Sequence, residues 1–144
     1  MTGSGWSARV TFTGEGGVAS YLYTQDKQSR FGEKVKAKDF RFERGRFHAV
    51  SLHVGLNSAP ELSDGFAEIY IDGTRVVEHR GVRFRSNTDD KSLISKMLFS
   101  TFHGGHEPEF APRDDRGNFS DVTAVFDNFA VHVGKHVRKA AGRP

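Results

Sequence analysis

The sequence predicts an all-β protein, an antiparallel β-sandwich, and three observations carry that prediction. The chain is rich in aromatic residues (12%), 13 of them Phe. Its 16 Gly punctuate the chain at short intervals. Between them, apolar and polar residues alternate with the period of two that marks a half-buried strand. A length of 144 residues fits one domain, residues 1–144. A domain of that size buries about 68–70% of its unfolded surface, so it needs no covalent staples. The chain has 0 Cys, which excludes a disulfide framework, thiolate zinc sites and thiol catalysis.

The elements follow in order. Ala8, Val10 and Phe12 alternate with Arg9, Thr11 and Thr13, and Gly14-Glu15-Gly16-Gly17 then supplies a turn. Val18 to Gln25 reads as the next strand, with Tyr21 and Tyr23 on one face and Leu22 on the other. Phe40 and Phe42 alternate with Arg41 and Glu43 before a turn at Gly45. Phe47 to Leu56 follows as a central strand that puts His48 and His53 on opposite faces, so the two cannot share a site there. Phe66 to Ile71, Asp72-Gly73, and Thr74 to Val77 make the sharpest local prediction. Asp-Gly between β-rich runs selects a type I′ hairpin turn, which needs φ > 0 at both central positions. Residues 88–98 are the one stretch that suits a helix, and a strand is expected from Phe99 on. Residues 103–120 read as a long polar loop, and Val122 to Val133 as a closing strand.

Charge adds a mild bias. Lys+Arg number 21 and Asp+Glu 18, a formal net charge of +3. The segment 135–144 carries Lys135, Arg138, Lys139 and Arg143 without an acid, which accounts for the surplus. It reads as a solvated basic tail rather than a nucleic-acid arm. No apolar run approaches the roughly 20 residues of a spanning helix, and Met1 to Gly5 lack the basic and apolar regions of a secretory signal. Neither nucleic acid nor membrane is expected as a partner; a polyanionic ligand fits.

Phosphate-binding loops, the Gly-x-Ser-x-Gly elbow and His-Glu-x-x-His are all absent from the sequence. His103, His106, Glu107 and Glu109 share a loop that reads as solvated rather than metal-binding, and Asp114-Asp115 reads as a turn. More informative is Tyr21-Leu22-Tyr23, two of the 3 Tyr in the chain, on one strand face roughly 6.6 Å apart. Ser7 and Arg9 have the same spacing one strand earlier. If the Gly14–Gly17 turn makes a hairpin, the four side chains share a face. By pattern alone this also describes a tyrosine pair and a surface arginine on a solvated sheet.

A series of short motifs runs through the chain. In order they are Ser7-Ala8-Arg9, Tyr21-Leu22-Tyr23, Leu56-Asn57, Asp64-Gly65, Ile71-Asp72-Gly73, Phe84-Arg85, the block Phe99-Ser100-Thr101-Phe102-His103-Gly104-Gly105, and Phe126-Asp127-Asn128-Phe129. The series resembles the alginate lyases of polysaccharide lyase family 14 and the related glucuronan lyases, over roughly residues 6–133. The resemblance implies a jelly-roll sandwich that cleaves a uronate polymer by β-elimination. It also implies a secreted or periplasmic protein whose signal is not in this chain. Tyr21, Tyr23 and Arg9 match the catalytic positions and Ser7 a substrate-site position, the acid and base roles of the two tyrosines being left open. Gln25 and Lys36 are added as substrate contacts, with Lys38 and Arg41 as further cations near flanking carboxylates. No cofactor is expected; calcium is compatible but nothing calls for it.

Two departures qualify the match. The family uses a lysine on a strand upstream of Ser-x-Arg, whereas this sequence starts five positions before Trp6, so one or two N-terminal strands are expected to be lacking. His103 stands where the family often has Phe. Two other functions therefore stay open: a carbohydrate-binding module without catalysis, and a structural or assembly protein. Exposed sheet edges further suggest a homodimer or strand exchange.

Overall fold

The computed structural model describes residues 5–101 and 108–139. Six strands form two three-stranded antiparallel sheets: β1 (Ser7–Thr13), β2 (Gly17–Tyr23) and β3 (Glu33–Lys36), then β4 (Val50–Gly55), β5 (Gly65–Ile71) and β6 (Thr74–Val82). There is no α-helix among the described residues, so the all-β antiparallel sandwich is the observed class. Each sheet joins strands that are neighbours in sequence. The jelly-roll outline therefore rests on the resemblance rather than on the described strands.

The alternation seen in sequence sorts each strand into an inner and an outer face. Val18 and Leu22 of the first sheet meet Ala67, Ile69, Ile71, Val77 and Val82 of the second, with Phe84 completing the interior. Trp6 packs on Phe84 with ring centroids 5.0 Å apart and donates its indole N–H to the Ser92 carbonyl at 2.8 Å. This burial is the main force holding the sheets together. The Asp72-Gly73 turn has φ of 50° and 87°, the two positive values that the type I′ prediction required.

Asn57 explains why a Leu-Asn motif is followed by Asp-Gly. Its side chain is fully buried, accepting from the Phe84 and Arg85 amides at 2.9 and 3.0 Å and donating to the Ala59 and Arg85 carbonyls at 2.7 and 2.9 Å. Asp64 closes the same loop by accepting from the Ser58 amide at 2.8 Å. At Gly65 a Cβ would lie 2.6 Å from the Val82 carbonyl oxygen. Asn57→Ala is expected to cost about 3 kcal/mol, because it strands backbone donors and acceptors away from water. Urea unfolding measures it, and a loss below about 1 kcal/mol would mean water takes over those bonds.

The structure corrects several expectations. Strand β3 was not foreseen, because Glu33-Lys34-Val35-Lys36 is charged and only four residues long. Phe40 and Phe42 form no strand. They fold against the Val18 cluster, edge to face with each other at 4.9 Å and with His48 at 6.1 and 5.3 Å. The strand expected from Phe47 begins at Val50, since His48 and the Ala49 amide are drawn to Asp72 instead. The helix weighed for 88–98 reduces to one 3-10 turn, Asp90–Ser92. The tail is not simply solvated: Lys135 donates to the Tyr70 hydroxyl at 2.7 Å and the Arg138 amide to Ser51 at 3.3 Å, across the outer face of the second sheet.

The described residues divide into two compact units, one holding both sheets and residues 132–139, the other spanning Ser95–Val131. In the second unit, Phe99 to Thr101 form no strand, and neither do residues 122–131. Alternation alone does not make a strand without a sheet edge to pair with. Asn128, at φ 56°, also breaks the extended run. Phe99 packs instead on Phe126 and Phe129, each at 4.8 Å. Asp114 caps a turn, accepting from the Arg116 and Asn118 amides at 2.9 and 2.8 Å, as expected of that pair. His103, His106 and Glu107 lie outside the described residues; Glu109 sits in a 3-10 turn, Pro108–Phe110.

Candidate functional site

The β1–β2 hairpin forms as the glycine turn predicted, and its register decides which side chains meet. Ser7 pairs with Tyr23, Arg9 with Tyr21 and Thr11 with Ala19; across β2, Tyr21 pairs with Lys34 and Ala19 with Lys36. Residues paired across strands share a face. The outer face of the first sheet therefore presents Ser7, Arg9, Thr11, Tyr21, Tyr23, Lys34 and Lys36. It carries three cations and no acid.

The two phenol oxygens lie 3.4 Å apart, with the rings edge to face at 5.5 Å. The Gly32 amide donates to the Tyr21 hydroxyl at 3.1 Å. Only glycine suits position 32. A Cβ there would lie 2.7 Å from the Leu22 carbonyl oxygen and 3.1 Å from the Tyr21 ring. The Arg9 Nε donates to Ser7 Oγ at 3.1 Å, and the guanidinium carbon lies 4.9 Å from the Tyr23 ring centroid and 5.9 Å from that of Tyr21. With Nε held by the serine, the two terminal nitrogens of the fork remain for a ligand.

A neighbouring cation on its own lowers a tyrosine pKa. For Tyr23 the direction is the opposite. Its hydrogen bond with Tyr21, its partial desolvation and repulsion from a Tyr21 phenolate raise it above the ordinary tyrosine value, and the Gly32 amide and Arg9 offset only part of this.

The structure thus brings together Ser7, Arg9, Tyr21 and Tyr23. Lys36 shares their face one row away, beside Ala19. Gln25 does not join them in the same way: its amide donates to the Phe84 carbonyl at 2.8 Å and ties the end of β2 to the chain after β6. Arg41 is ion-paired to Glu15 at 2.7 Å. Three participants were missed. Lys34 has its Nζ 5.7 Å from the Tyr21 ring and Lys27 has its Nζ 5.5 Å from the Tyr23 ring; Gly32 is the third. The one signal for Gly32 and Lys34 in sequence was the Gly32-Glu33-Lys34 run after the Tyr strand, legible only once β3 is placed beside β2.

Other polar groupings answer to the fold. His48 accepts from the Glu43 amide through Nε2, so its Nδ1 donates to Asp72 at 2.8 Å, while His53 bonds Glu68 at 3.0 Å. Ser20, His79 and Glu33 line up in the order nucleophile, base and acid, at 3.4 and 3.9 Å. Ser20 is 0% exposed between the sheets, so no substrate reaches it, and burial holds His79 below the usual histidine range.

Fold and face define a class: an antiparallel β-sandwich that exposes paired phenols and a forked cation on a sheet surface free of acids. The chain matches the family model of polysaccharide lyase 14 over residues 2–122, and it belongs to that family. No curated protein and no solved structure matches it at a significant level.

Proposed function

We propose that the protein cleaves a uronate polymer, alginate or glucuronan, by β-elimination on the Tyr21–Tyr23 face. The single observation behind this reading is the row of cations around two touching phenols with no carboxylate among them. Such a surface favours an anionic polymer, and phenols supply proton transfer.

The chemistry assigns each residue a task. Arg9, oriented by Ser7, binds the carboxylate of the reacting sugar. It neutralises the charge that grows there as the C5–H bond breaks. Tyr21 is the base. Its oxygen lies 3.1 Å from the Gly32 amide and 3.4 Å from the Tyr23 hydroxyl, in line to pass a proton to its neighbour. Tyr23, whose pKa is raised, keeps its proton and delivers it to O4 as the C4–O4 bond breaks. The product gains a C4–C5 double bond. Turnover leaves Tyr21 protonated and Tyr23 ionised, and a proton crossing their 3.4 Å contact resets the pair. No step calls on a metal; Arg9 supplies the charge.

Arg9→Ala tests the reading against a binding module. In a lyase the guanidinium matters most in the transition state, so turnover should fall about 10²–10³-fold while affinity for an oligouronate changes far less. Elimination kinetics beside isothermal titration measure both. Equal losses in the two would point to binding alone.

A further inference from the structure

We infer that Lys34 sets how the polymer lies on the sheet: the polyuronate crosses the strands along the row Arg9–Tyr21–Lys34. Arg9 takes the carboxylate of the reacting unit and Lys34 that of a unit further along. This rests on the lyase reading above and deepens it.

Register places the three side chains in one line across β1, β2 and β3. Neighbouring strands stand about 4.8 Å apart, so the Arg9 and Lys34 backbones are roughly 10 Å apart with Tyr21 midway. A 1,4-linked sugar advances by about one strand spacing. In a flat ribbon, alternate units present their carboxylates on the same side. The unit two along from the reacting one thus brings its carboxylate to Lys34.

The charges favour this direction over a path along the strands. Beside Arg9 on β1 the same face carries Ser7, Thr11 and Thr13, and beside Tyr21 on β2 it carries Tyr23, Ala19 and Gly17, none of them a cation. Lys34 and Arg9 flank one phenol, at 5.7 and 5.9 Å from the Tyr21 ring centroid. Among the described residues neither takes part in an ion pair, whereas Arg41, Arg46, Arg75, Arg80 and Arg83 all do. The acid next to Lys34 does not quench it: Glu33 falls on the opposite face, towards His79. Lys27 is held by the Ser29 and Arg30 carbonyls, and Lys36 lies off the row.

The test is a length series. A uronate dimer, a tetramer and a longer oligomer are titrated against wild type, Lys34→Ala, Lys34→Arg and Lys36→Ala. Lys34→Ala should weaken tetramer binding about three- to tenfold, the size of one partly exposed charge contact, and leave dimer binding unchanged. Lys34→Arg should restore it, and Lys36→Ala should do little. Equal losses on dimer and tetramer, an equal loss from Lys36→Ala, or no binding of any oligouronate to wild type would overturn the inference. The lyase reading is judged separately, by whether wild type forms the unsaturated product. Elimination with no length-dependent Lys34 effect would sink the inference alone; the reverse result would sink the lyase reading alone.

Discussion

Tyr21→Phe and Tyr23→Phe are each expected to lower turnover by about 10²–10⁴-fold, the usual weight of a general base or acid. Folding stability should stay near wild type, because both hydroxyls lie on the outer face and neither residue belongs to the packed interior. The two substitutions should also differ from each other. A substrate whose C4 leaving group is an acidic phenol needs no proton as it departs, so it should rescue Tyr23→Phe and not Tyr21→Phe. Rescue of Tyr21→Phe instead would reverse the acid and base assignments. Near-wild-type rates in both single variants would remove the tyrosines from the mechanism.

Glu68→Gln is expected to destabilise the fold by about 3 kcal/mol without touching the tyrosine face. Glu68 is 3% exposed on β5. Burial alone would push its carboxyl up. Hydrogen bonds from His53, Tyr70 and Arg75, with the charge of Lys135, overcome that and hold it at about 2, against 4.5 for a free glutamate. Arg80 adds a further bond at 2.8 Å. A drop of that size corresponds to about 3 kcal/mol, and removing one member of a buried ionic group leaves the others uncompensated. The sign follows from the depressed value. The unfolded chain takes up a proton near pH 4.5 while the folded one resists until about 2, so this stability is full above 4.5 and drains away as the pH falls towards 2. Urea unfolding of wild type and Glu68→Gln across that range should show the gap closing with acidity. A gap that does not vary with pH would assign the loss to packing rather than to charge.

What the sequence could carry was local and periodic. The β1–β2 hairpin and the Asp72-Gly73 turn were legible because turn chemistry and strand alternation agree there. The hairpin alone brings Ser7, Arg9, Tyr21 and Tyr23 onto one face. Lys34 and Gly32 were not legible, since their roles come from pairing across β2, and a four-residue charged strand gives no hydrophobic period. Phe40 and Phe42 misled because alternation describes side-chain direction, whereas a strand also needs a ladder of backbone bonds; here core packing takes both rings, and the Phe42 amide bond to the Gly16 carbonyl at 2.8 Å does not extend into a ladder. Residues 122–131 misled for the same reason, with Asn128 in a left-handed conformation cutting the run. The raised Tyr23 pKa was out of reach too, because it depends on the 3.4 Å contact with Tyr21, which spacing along a strand does not reveal.

The central claim is that the tyrosine face carries out elimination on uronate polymers. Its most direct measurement is the ultraviolet absorbance of the product, since each cleavage leaves a double bond conjugated with a carboxylate. Wild-type protein incubated with mannuronate-rich alginate, guluronate-rich alginate and glucuronan should generate that absorbance on at least one polymer. Arg9→Ala and Tyr21→Phe should abolish most of it. A flat trace on all three polymers, from folded protein that still binds them, would contradict the account and leave a carbohydrate-binding surface in place of a catalytic one.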